Sequence, residues 1–332
     1  MSQARLRLGI LGAARIAERR VAPAIRAAAN ATVTAIASRD AERAQSFAQR
    51  LDIPKAYGSY TALLDDPQID AVYIALPNAL HCEWTLQAAA RGKHVLCEKP
   101  LAASAAEAEA MLAACAAQGV LLMEAFMYRF HPQNEQALAL VRSGAIGNVR
   151  LVRAAFCFTI ADETNIRLDP ALAGGSLMDV GAYCVSAART MLGAEPADAL
   201  AMAQIGASGV DETFAGLLSF PGGALASFEC SFRMPYRAVY EVIGERGRIE
   251  VPSPFITNNN AMSIVLHHPD DRAETFSFAP VDQYTRMVEH FAECVLTGRP
   301  LRYPPSEGLA QMQALDALRA SARTGRAVTV NR

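Results

Sequence analysis

Apolar and polar residues follow two different rhythms along this chain. In the first third, short apolar runs at 6–11, 32–37, 71–76, 95–97 and 120–123 read as strands. Segments with apolar positions three or four apart separate them, at 41–51, 60–65, 81–91 and 104–118, and read as helices, the last capped by Ser104. Strands alternating with helices at this spacing predict a parallel, doubly wound sheet of the α/β class. After Glu124 the rhythm changes. A helix at 134–142 is followed by strand-like runs at 149–158, 199–205, 213–220, 224–232, 238–243 and 262–266, several alternating apolar with polar. Pro221-Gly222-Gly223 reads as a hairpin turn. Consecutive short strands predict a large, mostly antiparallel open sheet with one face covered and one free. Helices at 282–297 and 307–324 close the chain. The reading is a dinucleotide-binding domain over 1–123 and a substrate-binding and oligomerisation domain over 124–332.

Composition narrows the function. With 332 residues, 52% hydrophobic and 19% charged, the chain has the make-up of a two-domain globular protein. A net charge of −2 offers no basic face for nucleic acid or an anionic membrane. No apolar run is read as approaching the roughly 20 residues of a spanning helix. The N-terminus enters a strand almost at once, so no secretory signal and a cytoplasmic location are expected. Seven cysteines without a Cys-x-x-Cys pair read as reduced thiols, and six histidines without a His-x-x-x-His pair give no metal site.

The candidate chemistry gathers at strand ends. Val95–Cys97 runs straight into Glu98-Lys99-Pro100. In an open parallel sheet, ligands collect outside the carboxyl ends of the strands, so Lys99 points at a crevice. Lysine is a compact, donor-only cation suited to holding a substrate oxygen. Gly12-Ala13-Ala14-Arg15-Ile16-Ala17 follows the first strand in the place of a dinucleotide fingerprint, although only the first glycine is kept. On its own that turn is equally a plain strand-turn-helix. Ser38-Arg39-Asp40 follows the second strand, where an acid would read a free ribose 2′-hydroxyl and an arginine a 2′-phosphate. Asp40 suits an N-cap, so Ser38 and Arg39 favour NADP over NAD. Pro77, Asn78 and His81 end the next strand on the same edge. In the second half, Gly174-Gly175 release the chain into a helix carrying Asp179 and Tyr183, four residues apart and so on one face. Unaided, that pair is also an ordinary acid near a helix start and a half-buried tyrosine.

Together, Gly12 to Ala17, Glu98-Lys99-Pro100, the run Glu124 to Phe130 and Asp179-Val180-Gly181-Ala182-Tyr183 resemble the glucose-fructose oxidoreductase / inositol dehydrogenase (Gfo/Idh/MocA) family. The resemblance extends to the tail, around Met287 to Phe291 and Gly298 to Leu301. It is nearest the branch of dimeric dihydrodiol dehydrogenase, NADP-dependent xylose dehydrogenase and anhydrofructose reductase. It implies a Rossmann domain, a nicotinamide cofactor and hydride exchange with a sugar-like alcohol, ketone, aldose or trans-dihydrodiol. The family's lysine maps to Lys99, with a cis bond to Pro100, and the branch's acid/base tyrosine to Tyr183, preceded by Asp179. Gly12, Ala13, Ala14, Arg15, Ile16, Ser38, Arg39, Pro77, Asn78, His81, Glu98 and Lys99 are the expected cofactor contacts. Lys99, Met127, Phe158, Asp179 and Tyr183 are the expected substrate contacts. Met127 stands where an aromatic is usual. Arg129 and Arg167 read as structural. A tyrosine titrates near 10, and a nearby ammonium would favour its phenolate. The expectation is that Lys99 and Tyr183, from separate halves of the chain, meet over the nicotinamide. The rivals are a retained-cofactor enzyme that eliminates glycosidic bonds and a non-catalytic NADP- or sugar-sensing regulator. A homodimer through the open sheet face is also expected.

Overall fold

The computed structural model describes residues 4–331. It divides into two compact units, one of residues up to Met127 with Asp282–Leu309, the other of Tyr128–Val281 with the residues from Ala310 on.

The first unit is built on a six-stranded sheet of order β3-β2-β1-β4-β5-β6. Its strands are β1 (Leu6–Leu11), β2 (Ala31–Ala37), β3 (Lys55–Tyr57), β4 (Ala71–Ile74), β5 (His94–Cys97) and β6 (Leu122–Glu124). All five pairings are parallel. Leu8, Ile10, Val72, Ile74, Val95 and Leu96 are wholly buried, as strands covered on both faces require. Between them run α1 (Ala22–Ala27), α2 (Ala41–Arg50), α3 (Tyr60–Leu64), α4 (His81–Ala89) and α5 (Ala105–Ala117). A π turn, Ala17–Val21, precedes α1. Ser104 accepts from the Glu107 amide and caps α5, as the sequence suggests. The strand order reverses between β1 and β4, the switch point where such sheets bind ligands.

Two features depart from the sequence reading. Strand β3 was not foreseen; its three residues are all half-buried and carry no period. The helix Gln283–Thr297, read with the second domain, packs in the first unit against β1, β2 and α1. It buries Tyr284, Met287, Val288 and Phe291, while Glu289 accepts from the Ala29 amide and, through its carbonyl, from Asn30 Nδ2. An apolar stripe says that a helix docks but not on which sheet.

The second unit is a nine-stranded sheet with α6 (Pro132–Arg142) and α7 (Ala182–Leu192) on one face. Its strands are β7 (Val149–Cys157), β8 (Asp198–Ile205), β9 (Asp211–Ser219), β10 (Leu225–Ser231), β11 (Arg237–Gly244), β12 (Gly247–Val251), β13 (Met262–His267), β14 (Ala273–Phe278) and β15 (Val328–Thr329). The order is β14-β13-β12-β11-β7-β10-β9-β8-β15, antiparallel except where β10 lies parallel to β7. Strands β12, β14 and β15 are additions to the sequence reading. The covered face presents Val152, Phe156, Phe214, Phe228, Tyr240 and Val242, all buried. The opposite face leaves Leu200, Leu217 and Leu225 exposed and Met202 80% exposed. The helical stretch 170–192 is long and apolar enough by composition to cross a membrane, contrary to the sequence reading. However, 72% of its window is buried within the unit, as in a core helix.

Candidate active site

In the first unit the site forms where the strands end. Gly12 follows β1 with φ +106°, and a Cβ there would lie 2.8 Å from the Ala75 carbonyl oxygen. Only glycine lets β1 turn this close to the end of β4. Ala13, Ala14 and Ile16 are half-buried and Arg15 exposed in the turn that follows. The Glu18 amide already donates to the Ala14 carbonyl. The turn therefore opens into a helix at the switch point, and a helix N-terminus suits a pyrophosphate.

After β2, Ser38 is buried, and its amide donates to the Tyr57 carbonyl. The Asp40 carboxylate accepts from the Arg43 amide at 3.1 Å and caps α2. Arg43 reaches back to donate to the Ala13 carbonyl at 2.8 Å. Sequence reasoning missed Arg43; its only signal was a position one helical turn beyond the Asp40 cap. Arg39 and Arg43 are exposed guanidinium-bearing residues beside the first turn. This donor set fits a dinucleotide bearing a further phosphate on its ribose.

Beyond β4, Pro77 and Asn78 are half-buried, with a 3₁₀ turn, Asn78–Leu80, leading into α4. His81 corrects an expectation. It is wholly buried, and its Nδ1 and Nε2 lie 2.9 Å from the carbonyl oxygens of Pro100 and Leu76. The ring is spent inside the unit, tying the end of β4 to the loop after β5. Burial pushes the imidazole below its usual value, against the pull of the carbonyls.

That loop is Glu98-Lys99-Pro100, and the Lys99–Pro100 bond is cis, as the resemblance implied. Tyr73, buried in β4, donates its hydroxyl to Glu98 at 2.6 Å. Burial and the adjoining Glu98 charge hold that phenol well above its usual value, so it stays a donor. Glu124 at the end of β6 accepts from the Leu101 amide at 2.9 Å. Three side chains thus fix the loop, while Lys99 itself is half-buried. Met127, an expected substrate contact, is buried at the end of this unit's first segment.

In the second unit the helix bearing Asp179 and Tyr183 starts from a tightly specified loop. Gly175 has φ +115°, and a Cβ on it would fall 2.3 Å from a carboxylate oxygen of Asp211. That carboxylate accepts from Ser176 Oγ at 2.8 Å and from the Leu177 amide at 2.7 Å. Burial raises the Asp211 carboxyl above its ordinary value despite these donors. The helix opens with a π turn, Leu177–Gly181, before α7. Asp179 lies inside it, so the plain i, i+4 relation to Tyr183 is loosened. Asp179 accepts from Arg167 Nε at 2.6 Å.

Tyr183 is 5% exposed. Its ring is walled by Phe255, Phe156 and Tyr128, with centroids at 5.2, 5.4 and 5.9 Å. None of these walls was among the expected site residues. They come from a loop, a strand and a turn that no local period connects. Phe158 is half-buried and touches Phe156 and Phe232.

A parallel sheet with an anion-suited turn at its switch point, and a lysine at a neighbouring strand end, is the architecture of a dinucleotide-binding domain. Residues 6–126 match the model of an oxidoreductase family with an NAD-binding Rossmann fold, and residues 134–250 match the GFO/IDH/MocA C-terminal domain. The chain belongs to the Gfo/Idh/MocA family of oxidoreductases. It is 46% identical over 324 residues to a D-xylose 1-dehydrogenase (NADP(+)) of Haloferax volcanii, covering 97% of this chain and 99% of that one. Its fold is similar to that of an aldose-aldose oxidoreductase from Caulobacter crescentus solved with glycerol, with TM-score 0.91, 33% identity, and 98% and 99% of the chains covered. It is also similar to a 3-ketoreductase from Actinomadura kijaniata solved with NADP and TDP-benzene, with TM-score 0.90, 34% identity, and 96% and 98% covered.

Proposed function

We infer that the protein is an NADP(H)-dependent dehydrogenase or reductase acting on a CH–OH carbon of a neutral polyhydroxyl compound, with an aldose the first candidate. When bound, the nicotinamide supplies hydride exchange. The chain's own residues manage one oxygen and one proton. Lys99 holds the reacting oxygen by donating to it, and Tyr183 takes or returns its proton. Asp179, paired with Arg167, orients a further substrate hydroxyl. Ser38, Arg39 and Arg43 favour the 2′-phosphate of NADP over NAD.

The observation that carries the reading is the setting of Tyr183: a phenol at a helix start, enclosed by three rings. Apolar walls disfavour a phenolate, so proton exchange there calls for a cation such as Lys99. The 46% identity to an NADP-dependent xylose dehydrogenase supports the aldose assignment. The open sheet face supports a homodimer, with exposed Leu200, Met202, Leu217 and Leu225 beside Arg153, Glu229 and Glu241, whose opposite charges suit a self-complementary contact.

The test is a screen of aldoses, ketosugars and trans-dihydrodiols with NADP and NAD, following nicotinamide absorbance. Expected is turnover of an aldose with NADP⁺ that Tyr183→Phe lowers about 10²–10⁴-fold with cofactor binding intact. Substrate consumed with no net absorbance change would replace the reading with a retained-cofactor enzyme. Cofactor binding without any turnover would replace it with a sensor.

A further inference from the structure

We propose that Ser186 is a positioning residue for the Tyr183 phenol, fixed by Arg129 and acting through the ring of Tyr128. The proposal rests on Tyr183 being the acid/base. Ser186 follows Tyr183 by three residues on α7, so the two are neighbours on the helix surface. Its hydroxyl is wholly buried and has three partners: Arg129 Nε at 3.1 Å, Arg129 Nη2 at 2.8 Å and Tyr128 Oη at 2.7 Å. A guanidinium can only donate. It therefore fills both lone pairs of Ser186, and the single serine proton goes to Tyr128. The direction of the chain is set: Arg129 to Ser186 to Tyr128.

The Tyr128 ring is one of the three walls around Tyr183, inclined to it by 57°. Asn134 fixes two of the walls at their backbones. Its Nδ2 donates to the Tyr128 carbonyl at 2.9 Å and to the Pro254 carbonyl, next to Phe255, at 3.0 Å. Its Oδ1 accepts from Tyr240 Oη at 2.8 Å. Packing alone would be served as well by apolar side chains, and burying a guanidinium is costly. Directional bonds add what ring contacts lack: one pose of Tyr128, and through it one pose of Tyr183. A catalytic phenol displaced by a fraction of an ångström loses rate with little loss of binding.

The experiment measures D-xylose oxidation with NADP⁺ for Ser186→Ala, Tyr128→Phe and Tyr183→Phe, singly and combined. A crystal structure of Ser186→Ala is solved alongside. Expected is a fall in kcat of about 10-fold for Ser186→Ala, with KM for NADP⁺ within about twofold. Tyr128→Phe should reproduce that loss, and the pair should lose no more than either alone. In the Tyr183→Phe background, Ser186→Ala should have no further effect, and its crystal structure should show the Tyr183 ring turned from its native pose. Undiminished loss in that background, or a Tyr183 ring left in place, overturns the proposal while the acid/base role stands. Native turnover by Tyr183→Phe removes the acid/base role, and this proposal with it. Should Ser186→Ala fail to fold, Tyr128→Phe, which keeps the Arg129–Ser186 bonds, carries the same kinetic and crystallographic test. Should D-xylose not be turned over, the crystal structure decides alone.

Discussion

Lys99 and Tyr183 are held by opposite means. The loop of Lys99 is fixed by polar groups reaching backbone and carboxylate: His81 between two carbonyls, Tyr73 on Glu98, and Glu124 on the Leu101 amide. Tyr183 is packed against Phe156, Phe255 and Tyr128, and the Tyr128 ring is itself held by the bond between its hydroxyl and Ser186. The difference matches the duties proposed for the two side chains. A lysine that only donates needs an anchored backbone. A phenol exchanging a proton needs a set orientation, which the packed rings supply. One carboxylate from each unit shows a similar contrast. Asp66 in the first unit sits among Lys55 Nζ at 2.6 Å, Tyr57 Oη at 2.8 Å and the Gln68 amide at 2.8 Å, and the Lys55 ammonium holds it down at about 2. Asp211 in the second is shifted upward by burial.

The comparison can be broken in several places. The largest effect is expected from Lys99→Met, which keeps the loop but removes the cation. It should lower kcat about 10²–10³-fold with melting temperature unchanged. A change in stability without a change in rate would reverse the roles of loop and side chain. Next is Gly175→Ala, which forces a Cβ onto Asp211 at positive φ. A loss of about 2–3 kcal/mol is expected by denaturant unfolding, and a loss below 0.5 kcal/mol would show that the loop can move. Arg39→Ala should then raise KM for NADP⁺ about 10-fold and leave KM for NAD⁺ alone; equal effects on both cofactors would separate Arg39 from the 2′-phosphate.

The smallest effect separates the two carboxylates. Asp66 titrates lower folded than unfolded, so its contribution is present above about 3.8 and is lost as pH falls toward about 2. Lys55 is partly exposed, so Lys55→Met should lower the melting temperature only slightly at neutral pH, a difference that closes on acidification. Asp211 has the reverse sign. Its raised folded value means that folding favours the protonated acid, so stability is fully present below the unfolded value near 3.8 and falls as pH rises through the folded one. Asp211→Asn should flatten that fall in a melting-temperature series across acidic pH. An unaltered slope would assign it to another group.

Much of this was legible in the sequence, for identifiable reasons. Buried parallel strands must be near-continuous apolar runs, so β1, β2, β4 and β5 announced themselves, and Asp40 and Ser104 marked the starts of α2 and α5. Strand β3 has no buried residue, and β14 alternates too weakly, so neither carries a signal. Glu98-Lys99-Pro100 stood out because charges and a proline interrupt an apolar run. Tyr73, Arg129 and Ser186 did not. A polar tip on a buried residue looks the same in sequence whether it is idle or occupied. The walls of Tyr183 come from positions 128, 156 and 255, which only the fold brings together.

Both halves of the chain open a candidate helix with a π turn, at Ala17–Val21 and at Leu177–Gly181. Such a turn amounts to one residue inserted into an α-helix, and each residue is worth about 100° of rotation. Asp179 is thereby phased independently of the residues of α7 that face the sheet, such as Cys184, whose thiol lies against the Glu229 carbonyl of β10. Removing a single residue there would keep the helix and its core contacts, yet swing the carboxylate to another azimuth.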